Sequence, residues 1–212
     1  MKPLISQLVL FAAIAIPMDD KSVWTELQFK KITPNKVSYA KESLTVEVDS
    51  SASPLIYGFG AIKQISEIQA EIMIDGKMNE FSESKDFEED SYFRLGVVAE
   101  GKNTLGAMGS MFAPDWVQKM FALAPKGSGL DKIYFYNLAI KPELVGKSRQ
   151  HPKSKYMHEE YVTAFDPAAK STVVTKKFDP PMPAAGIWLS IDGDESKSKF
   201  KIQIKDLRYT EK

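Results

Sequence analysis

The segment 186–209 has the clearest alternation of apolar and polar residues in the chain. Isoleucine or leucine occupies positions 187, 189 and 191, and Phe200, Ile202 and Ile204 repeat the same two-residue period. A period of two places successive side chains on opposite faces of a strand, so each run predicts a half-buried β-strand. The polar stretch 192–196 between the two runs contains Asp, Gly and Ser, and therefore predicts a turn.

Similar short runs follow one another through most of the remaining sequence. Strand patterns occur at 44–48, 55–59, 68–74, 91–100, 130–141 and 172–178. Turn signals such as Pro34-Asn35 and 50–54 separate them, which favours a sandwich or barrel over alternating β–α units. Proline donates no ladder hydrogen bond, so the prolines at 180–183 are expected to end the strand 172–178. The segment 158–165 fits either a short helix or an extended connection.

One stretch has the period of an amphipathic helix. Trp116, Met120 and Leu123 share one face, Asp115 places an acid in the first turn, and Pro125 ends the pattern. A helix this short is unstable alone in water and must dock on the sheet. The sequence therefore predicts an all-β fold, a jelly-roll-like antiparallel β-sandwich forming a single domain over residues 19–212, with one short helix docked on it.

The N-terminus has the features of a bacterial secretory signal. Met1-Lys2 precedes an apolar run of about a dozen residues, the pair Asp19-Asp20 follows it, and Ala13-x-Ala15 offers a small-residue cleavage pattern. The run is shorter than the roughly 20 apolar residues that span a bilayer. We therefore expect residues 1–18 to be a signal peptide and the protein to be periplasmic or secreted, not integral to a membrane. The alternatives are a buried N-terminal strand or helix, or a retained anchor.

The composition excludes several classes of function. The 212 residues include 28 basic and 28 acidic side chains, so there is no basic field to attract nucleic acid. The absence of cysteine excludes disulfides, thiolate metal sites and a cysteine nucleophile. No nucleophile elbow or phosphate-binding glycine loop is found, and the two histidines, His151 and His158, cannot form a three-histidine zinc site.

The turn at 192–196 offers a candidate metal site. Asp192 and Asp194 have the alternate spacing of the first ligands in a calcium loop. Lys197 stands where such a loop has its turn glycine, and Gln203 stands where it has its bidentate acid. Calcium is therefore the one cofactor that the sequence suggests, and a solvated Asp- and Gly-rich turn is the alternative.

Aromatic and charged side chains supply the candidate ligand-binding residues. Trp188, Tyr134 and Tyr136 alternate with residues such as isoleucine that are expected to face the core, so they are candidates to stack on sugar rings; burial in the core is the alternative. Arg94 is opposite in phase to its strand neighbours Phe93 and Leu95, so it should leave the core face, where a carboxylate can hold it bidentately.

The carboxylates that could join Arg94 in orienting sugar hydroxyls or holding Ca²⁺ are Glu89, Asp90, Asp192, Asp194 and Asp206. A structural ion pair that fixes strand register is the alternative.

The chain resembles domain-of-unknown-function family 3047, a family of exported bacterial proteins. The resemblance rests on Trp24 with Phe29, Ser51-Ala52-Ser53-Pro54-Leu55, Glu89 to Arg94, Glu160-Tyr161 to Phe165, and Asp192, Asp194 and Asp206. It implies a secreted or periplasmic jelly-roll β-sandwich of the sugar-binding kind and brings no established activity. The chain departs from the family pattern in lacking Trp at 65–74 and in having Glu195 where the family tends to have Asn.

These features favour a non-catalytic module that binds a glycan or another cell-envelope component. A carbohydrate-active enzyme, either a lyase or a hydrolase that uses Arg94, tyrosine and carboxylates, is one alternative. A structural or assembly protein of the envelope is another. The ligand and the oligomeric state stay open at this point.

Overall fold

The computed structural model describes residues 12–79, 90–152 and 154–212. It confirms the all-β, sandwich-like fold. The strands are β1 (Ala13–Ala15), β2 (Trp24–Glu26), β3 (Lys36–Ala40), β4 (Ser43–Asp49), β5 (Leu55–Lys77), β6 (Ser91–Gly101), β7 (Gly129–Ala139), β8 (Ser148–Gln150), β9 (Met157–Ala164), β10 (Thr172–Asp192) and β11 (Lys199–Glu211). Short 3₁₀ turns occupy Lys21–Val23 and Pro142–Leu144.

Two short helices connect β6 to β7. The helix α2 (Asp115–Phe121) was expected from its apolar face, whereas α1 (Ala107–Phe112) was not expected. The Gly-rich composition around α1 indicates a loop, and the helix is only six residues long. Residues 157–164 form the strand β9. The segment 158–165, for which the sequence allowed either a short helix or an extended connection, is therefore extended.

The described strands join into one continuous sheet in the order β3-β4-β11-β5-β10-β6-β7-β9-β8. Neighbours are antiparallel except β7 and β9, which run parallel. The short strand β1 pairs with β11, and Ile16, directly after it, is 2% exposed in the core. The end of the predicted signal segment is thus packed against the fold. In the part of the chain that is described, no helix has the length and apolar character needed to cross a membrane.

The prolines of β10 interrupt its pairing without ending the strand. Its register with β5 breaks between Lys177 and Met182, shifts again between Ala184 and Gly186, and then continues as far as Leu189. The expectation that the strand would stop at 180–183 is therefore wrong. The missing N–H groups of these prolines remove ladder bonds over four residues only, because the flanking segments on both sides pair with the 23-residue strand β5.

The sheet curls around an apolar core on its inner face. The rings of Tyr92 on β6 and Phe200 on β11 lie 5.0 Å apart between centroids. In a flat sheet these strands would be separated by three spacings, roughly 14 Å. The curvature therefore brings the two halves of the sheet face to face. Residues expected on the core side of the C-terminal strands, including Ile187, Leu189 and Ile202, are buried in this inner core.

A second apolar cluster covers part of the outer face. The helix α2 contributes Val117, Met120 and Phe121, which pack with Ile133 of β7 and Trp188 of β10. The predicted docking of this helix on the sheet is confirmed. Strands β6, β7 and β10 therefore carry buried side chains on both faces, which an alternating sequence pattern alone does not predict.

Candidate functional site

A cleft of about 280 Å³ opens on the outer face of the sheet, beside α2. Its floor is formed by β10, β6, β7 and β9. Phe29 and Ile32, from the connection between β2 and β3, form one wall, and Trp116 of α2 contributes another. Phe29, Ile32 and Trp116 are only half-buried, so a ligand in the cleft can reach them.

Strand register arranges the floor as two parallel rows of residues. The aromatic row consists of Trp188 on β10, Gly96 on β6 and Phe135 on β7, which are direct neighbours across the three strands. The polar row consists of Ser190, Arg94, Asn137 and Tyr161, which are neighbours across β10, β6, β7 and β9. Ser190 and Arg94 line the cleft, and the row continues beyond it through Asn137 and Tyr161. The outer face therefore changes from apolar to polar between positions that are two residues apart on each strand.

Gly96 allows the aromatic row to pack closely. A Cβ atom at this position would lie 2.7 Å from the carbonyl oxygen of Trp188 and 2.8 Å from a ring carbon of Phe135. Separations below 3.0 Å are essentially never seen for real Cβ atoms, so any side chain here would force the strand or the ring to move. The absence of a side chain at 96 lets the ring of Phe135 lie against β6.

A buried ionic network joins the polar row to β8 and β9. The side chain of Glu159 is fully buried, and it accepts from Nε of Arg149 at 2.6 Å and from Nδ2 of Asn137 at 3.2 Å. Nε of Arg94 lies 3.2 Å from the same carboxylate. Arg94 also donates to the carboxylate of Asp192. Arg94 is thus held between two carboxylates from different strands, which fixes its orientation at the cleft.

The network shifts the pKa values of its members. Burial alone would raise the pKa of Glu159, but Arg94 and Arg149 outweigh it and leave that pKa below its usual value. Burial alone would lower the pKa of Arg94, but Asp192 and Glu159 raise it above its ordinary range. Both groups therefore remain charged at neutral pH in spite of their burial.

Asp192 is shifted in the opposite direction from Glu159. Burial raises its pKa, and the carboxylates of Asp90 and Asp194 raise it further, whereas Arg94 and hydrogen bonds from Ser190 oppose the shift. The difference follows from the neighbours: Glu159 faces two guanidinium groups, and Asp192 faces one guanidinium group together with other acids.

The turn between β10 and β11 is held by Asp90. Its buried carboxylate accepts from the backbone N–H groups of Ser196 at 2.7 Å and Glu195 at 3.3 Å. Asp90 lines the cleft together with Asp194. Arg94, Asp90, Asp192 and Asp194 were thus predicted to meet, and they do. Glu89 lies outside the described residues.

Asp206 lies outside the cleft. It is exposed on β11, where it accepts from Gln69 at 2.7 Å and from Arg208 at 2.9 Å. Its predicted place in the cluster is wrong, because β5 lies between β10 and β11 in the sheet and pairs with both, so the two strands do not form a hairpin.

The aromatic residues chosen from the alternating pattern are not surface platforms. Trp188 is 1% exposed and forms part of the cleft floor, since α2 and the connecting segments cover the face that it was expected to present to solvent. Tyr136 is buried in the inner core against Phe178, because it pairs with Leu95, an inner-face residue. The predicted exposure of both side chains is wrong.

Tyr134 is half-buried and is not among the residues that line the cleft. Its hydroxyl donates to Asp131 at 2.7 Å, and burial together with this carboxylate raises its pKa to about 12. The hydroxyl is therefore engaged within its own strand.

The described residues contain no group of three or more His, Cys, Asp or Glu side chains placed to hold a metal ion. The oxygens of Asp192 accept hydrogen bonds from Arg94 and Ser190. Calcium binding by Asp192 and Asp194 stays a prediction.

Sequence reasoning missed Glu159, Asn137 and Arg149, which complete the network around Arg94. Glu159 belongs to the segment left open between helix and strand, and its buried position depends on the parallel pairing of β9 with β7. A polar residue such as Asn137 within the apolar run 130–141 was the available signal, because a buried amide requires partners.

No family model matches the chain, and no curated protein matches it, so membership of domain-of-unknown-function family 3047 stays a prediction. Among solved structures, the chain is similar to the family 11 carbohydrate-binding module of a cellulosomal cellulase from Clostridium thermocellum, with 7% identity, a TM-score of 0.45 and 96% of each chain covered. The same kind of module in complex with a β-1,3-1,4-mixed-linked tetrasaccharide gives 8% identity, a TM-score of 0.45 and coverage of 93% and 94%.

A family 29 carbohydrate-binding module from Piromyces equi gives 8% identity, a TM-score of 0.33 and coverage of 95% of this chain and 89% of the module. Identities and scores this low say nothing about what this chain binds.

Proposed function

We propose that the protein is a non-catalytic module that binds a glycan of the cell envelope in the outer-face cleft. The observation that carries the proposal is the meeting of half-exposed aromatic walls with charged and hydroxyl groups, Arg94, Asp192 and Ser190 among them, in one cleft. A sugar ring has apolar C–H faces and hydroxyl groups at its rim. It therefore matches aromatic rings along its faces and fixed polar groups at its edge.

The roles of the cleft residues follow from their positions. The rings of Trp116 and Phe29 are half-buried and offer apolar surface to the faces of a sugar. Arg94 and Asp192 are held in place by their own ion pair and offer a donor and an acceptor to its hydroxyls. Because these polar groups are already oriented, binding costs little further side-chain ordering.

A binding assay with matched variants tests this function. Purified protein is screened on a glycan array and against isolated cell-wall polysaccharide, and affinity for any glycan that binds is then measured for Trp116→Ala. Loss of one aromatic contact, worth about 1.4 kcal/mol, should weaken binding roughly tenfold. Phe112→Ala is the control, because this ring lies on the neighbouring helix α1, is 79% exposed and does not line the cleft.

Two results would contradict the proposal. One is the absence of binding to every glycan tested, and the other is an equal loss of affinity in Trp116→Ala and Phe112→Ala. Folding of each variant is checked by thermal unfolding, so that loss of binding is not confused with loss of structure.

A carbohydrate-active enzyme is the second candidate, because a buried carboxyl group with a raised pKa can serve as a general acid. Asp192 has a raised pKa and lies near Asp90 and Asp194 in the cleft. Release of reducing ends from a polysaccharide panel, abolished in Asp192→Asn, would establish this activity in place of simple binding. The ion pair with Arg94 favours the binding role, because Arg94 stabilises the ionised carboxylate of Asp192, which accepts hydrogen bonds and has no proton to donate.

Export to the periplasm or the cell exterior belongs to the same proposal. The apolar N-terminal run supports it, and the burial of Ile16 limits where processing can occur. Removal of Ile16 would leave a hole in the inner core, so cleavage is expected no later than Ala15. Intact-mass analysis of native protein should give a chain that starts at Ile16 or a little before it. A mass that retains Met1 and Lys2 would contradict export.

A further inference from the structure

The short helix α1 presents a cluster of large apolar side chains to solvent. Met108, Met111 and Phe112 are 78%, 75% and 79% exposed, and we call them the α1 patch. The other exposed large hydrophobic residues in the described part of the chain reach at most 44%, at Val173. Single exposed apolar side chains are ordinary, but three on one protruding helix form a contiguous patch of the kind that marks an interaction site.

The segment that carries the α1 patch is basic. Residues 101–129 contain Lys102, Lys119 and Lys126, all exposed, and a single acid, Asp115. The segment thus has a formal charge of +2, from three lysines and one aspartate, whereas the whole chain has a formal charge of zero. An apolar tip within a basic segment is complementary to a surface that has negative charge outside and hydrocarbon beneath.

We propose that the α1 patch inserts into the surface of an anionic lipid bilayer. The two methionines and the phenylalanine enter the boundary between headgroups and acyl chains, and the lysines remain at the level of the lipid phosphates. This contact is independent of the cleft and does not require a glycan.

Size and charge favour a bilayer over a second copy of the chain. A stable protein interface buries about 800 Å² on each partner, far more than one helix of six residues offers. A symmetric dimer through the α1 patch would also bring the same basic segment of both copies together. Insertion into a bilayer requires neither a large contact area nor a partner of complementary shape. The side chains of the α1 patch are each more than 70% exposed, so the patch protrudes and does not form a groove.

Vesicle flotation tests the proposal with the full chain. Wild-type protein is mixed with vesicles of phosphatidylcholine alone and with vesicles of phosphatidylcholine and phosphatidylglycerol. The triple variant M108S/M111S/F112S is treated in the same way. We expect the wild type to float with the anionic vesicles, more weakly at high salt, and the triple variant to bind at least about tenfold more weakly, since each buried apolar side chain contributes more than a tenfold factor.

Controls separate this contact from other causes of flotation. Residues 1–11 are identical in wild type and variant, so binding through the apolar N-terminal run would survive in both. Val173→Ser, on β10, removes an exposed apolar side chain elsewhere and should leave flotation unchanged. All substituted positions are exposed, so the melting temperatures should stay close to that of the wild type.

Three results would overturn the proposal. The first is no flotation with anionic vesicles. The second is flotation that the triple variant retains. The third is a wild-type dimer in light scattering that becomes a monomer in the triple variant, because the α1 patch would then be covered by a second copy of the chain.

Discussion

The two faces of strand β6 differ in what covers them, and the difference separates core from candidate site. Phe93, Leu95 and Val97 point inward and are fully buried in the inner core. Arg94 and Gly96 point outward, where they meet the polar and aromatic rows of the cleft. The inner face is closed by the other half of the sheet. The outer face is covered only in part, by α2 and connecting segments, and the gap between these covers is the cleft.

This comparison explains why substitution of an inward side chain and of an outward side chain on the same strand should have different effects on stability. An inward residue is surrounded by apolar side chains, so water does not fill the cavity that its truncation leaves. An outward residue lies beside an opening, so water can occupy space that a truncated side chain leaves. Stability should therefore depend most on the inner face, and ligand binding on the outer face.

The largest effect is expected for Phe93→Ala in the inner core. The substitution leaves a sealed cavity and should lower the free energy of unfolding by about 4 kcal/mol. Phe135→Ala is the matched change in the cleft floor and should cost less, because the cavity that it leaves opens into the cleft. Urea unfolding of both variants checks the difference, and an equal or reversed order would contradict the distinction between the faces.

The next effect is expected for Glu159→Gln in the buried network. Loss of this charge leaves Arg94 and Arg149 without their shared carboxylate, which should lower the free energy of unfolding by about 3 kcal/mol. Glu160→Gln is the control on the same strand. Its partly exposed ion pair with Lys176 should contribute less than about 1 kcal/mol. Similar losses in the two variants would show that burial of the network does not matter.

Gly96→Ala tests the close packing of the aromatic row. The added methyl group meets the Trp188 carbonyl and the Phe135 ring, so unfolding free energy should fall by about 2 kcal/mol. Glycan affinity should fall as well, because the floor must shift. At Gly106 a Cβ atom meets nothing within 4 Å, so Gly106→Ala should leave stability and affinity close to those of the wild type. A Gly96→Ala protein as stable as Gly106→Ala would rule out this account of the floor.

The smallest effect is expected on the way that the free energy of unfolding changes at acid pH. The pKa of Glu159 is lower in the folded protein than its ordinary value of 4.5, so its ionised form stabilises the fold above that pH. This contribution is lost as pH falls below about 4.5 toward the folded-state pKa. Glu159→Gln should therefore lose less stability than the wild type between neutral pH and acid. If the free energy of unfolding falls equally with pH in the two proteins, Glu159 does not contribute to the loss of stability in acid.

The sequence was sufficient to predict most of the long strands and which side chains alternate on them, but not which face of β7 meets the inner core, nor the covers of the outer face. Alternation placed Arg94 opposite Phe93 and Leu95, and this phase is confirmed. The same alternation implied an exposed Trp188, because period two identifies opposite faces of a strand without saying what packs on each. The docking of α2 and the parallel pairing of β9 involve contacts distant in sequence, so neither the cover over Trp188 nor the position of Glu159 follows from local pattern.

The three tryptophans offer the most direct test of the claim that the outer-face cleft binds the ligand. Trp116 and Trp188 line the cleft, whereas Trp24 packs in the inner core with its indole N–H donated to the carbonyl of Pro17 at 2.8 Å. Each indole N–H gives its own NMR signal, so titration of a bound glycan into ¹⁵N-labelled protein compares both regions in one sample. The signals of Trp116 and Trp188 should shift while that of Trp24 stays in place. A shift of Trp24 alone, or saturated binding with all three signals unmoved, would contradict the assignment of the site.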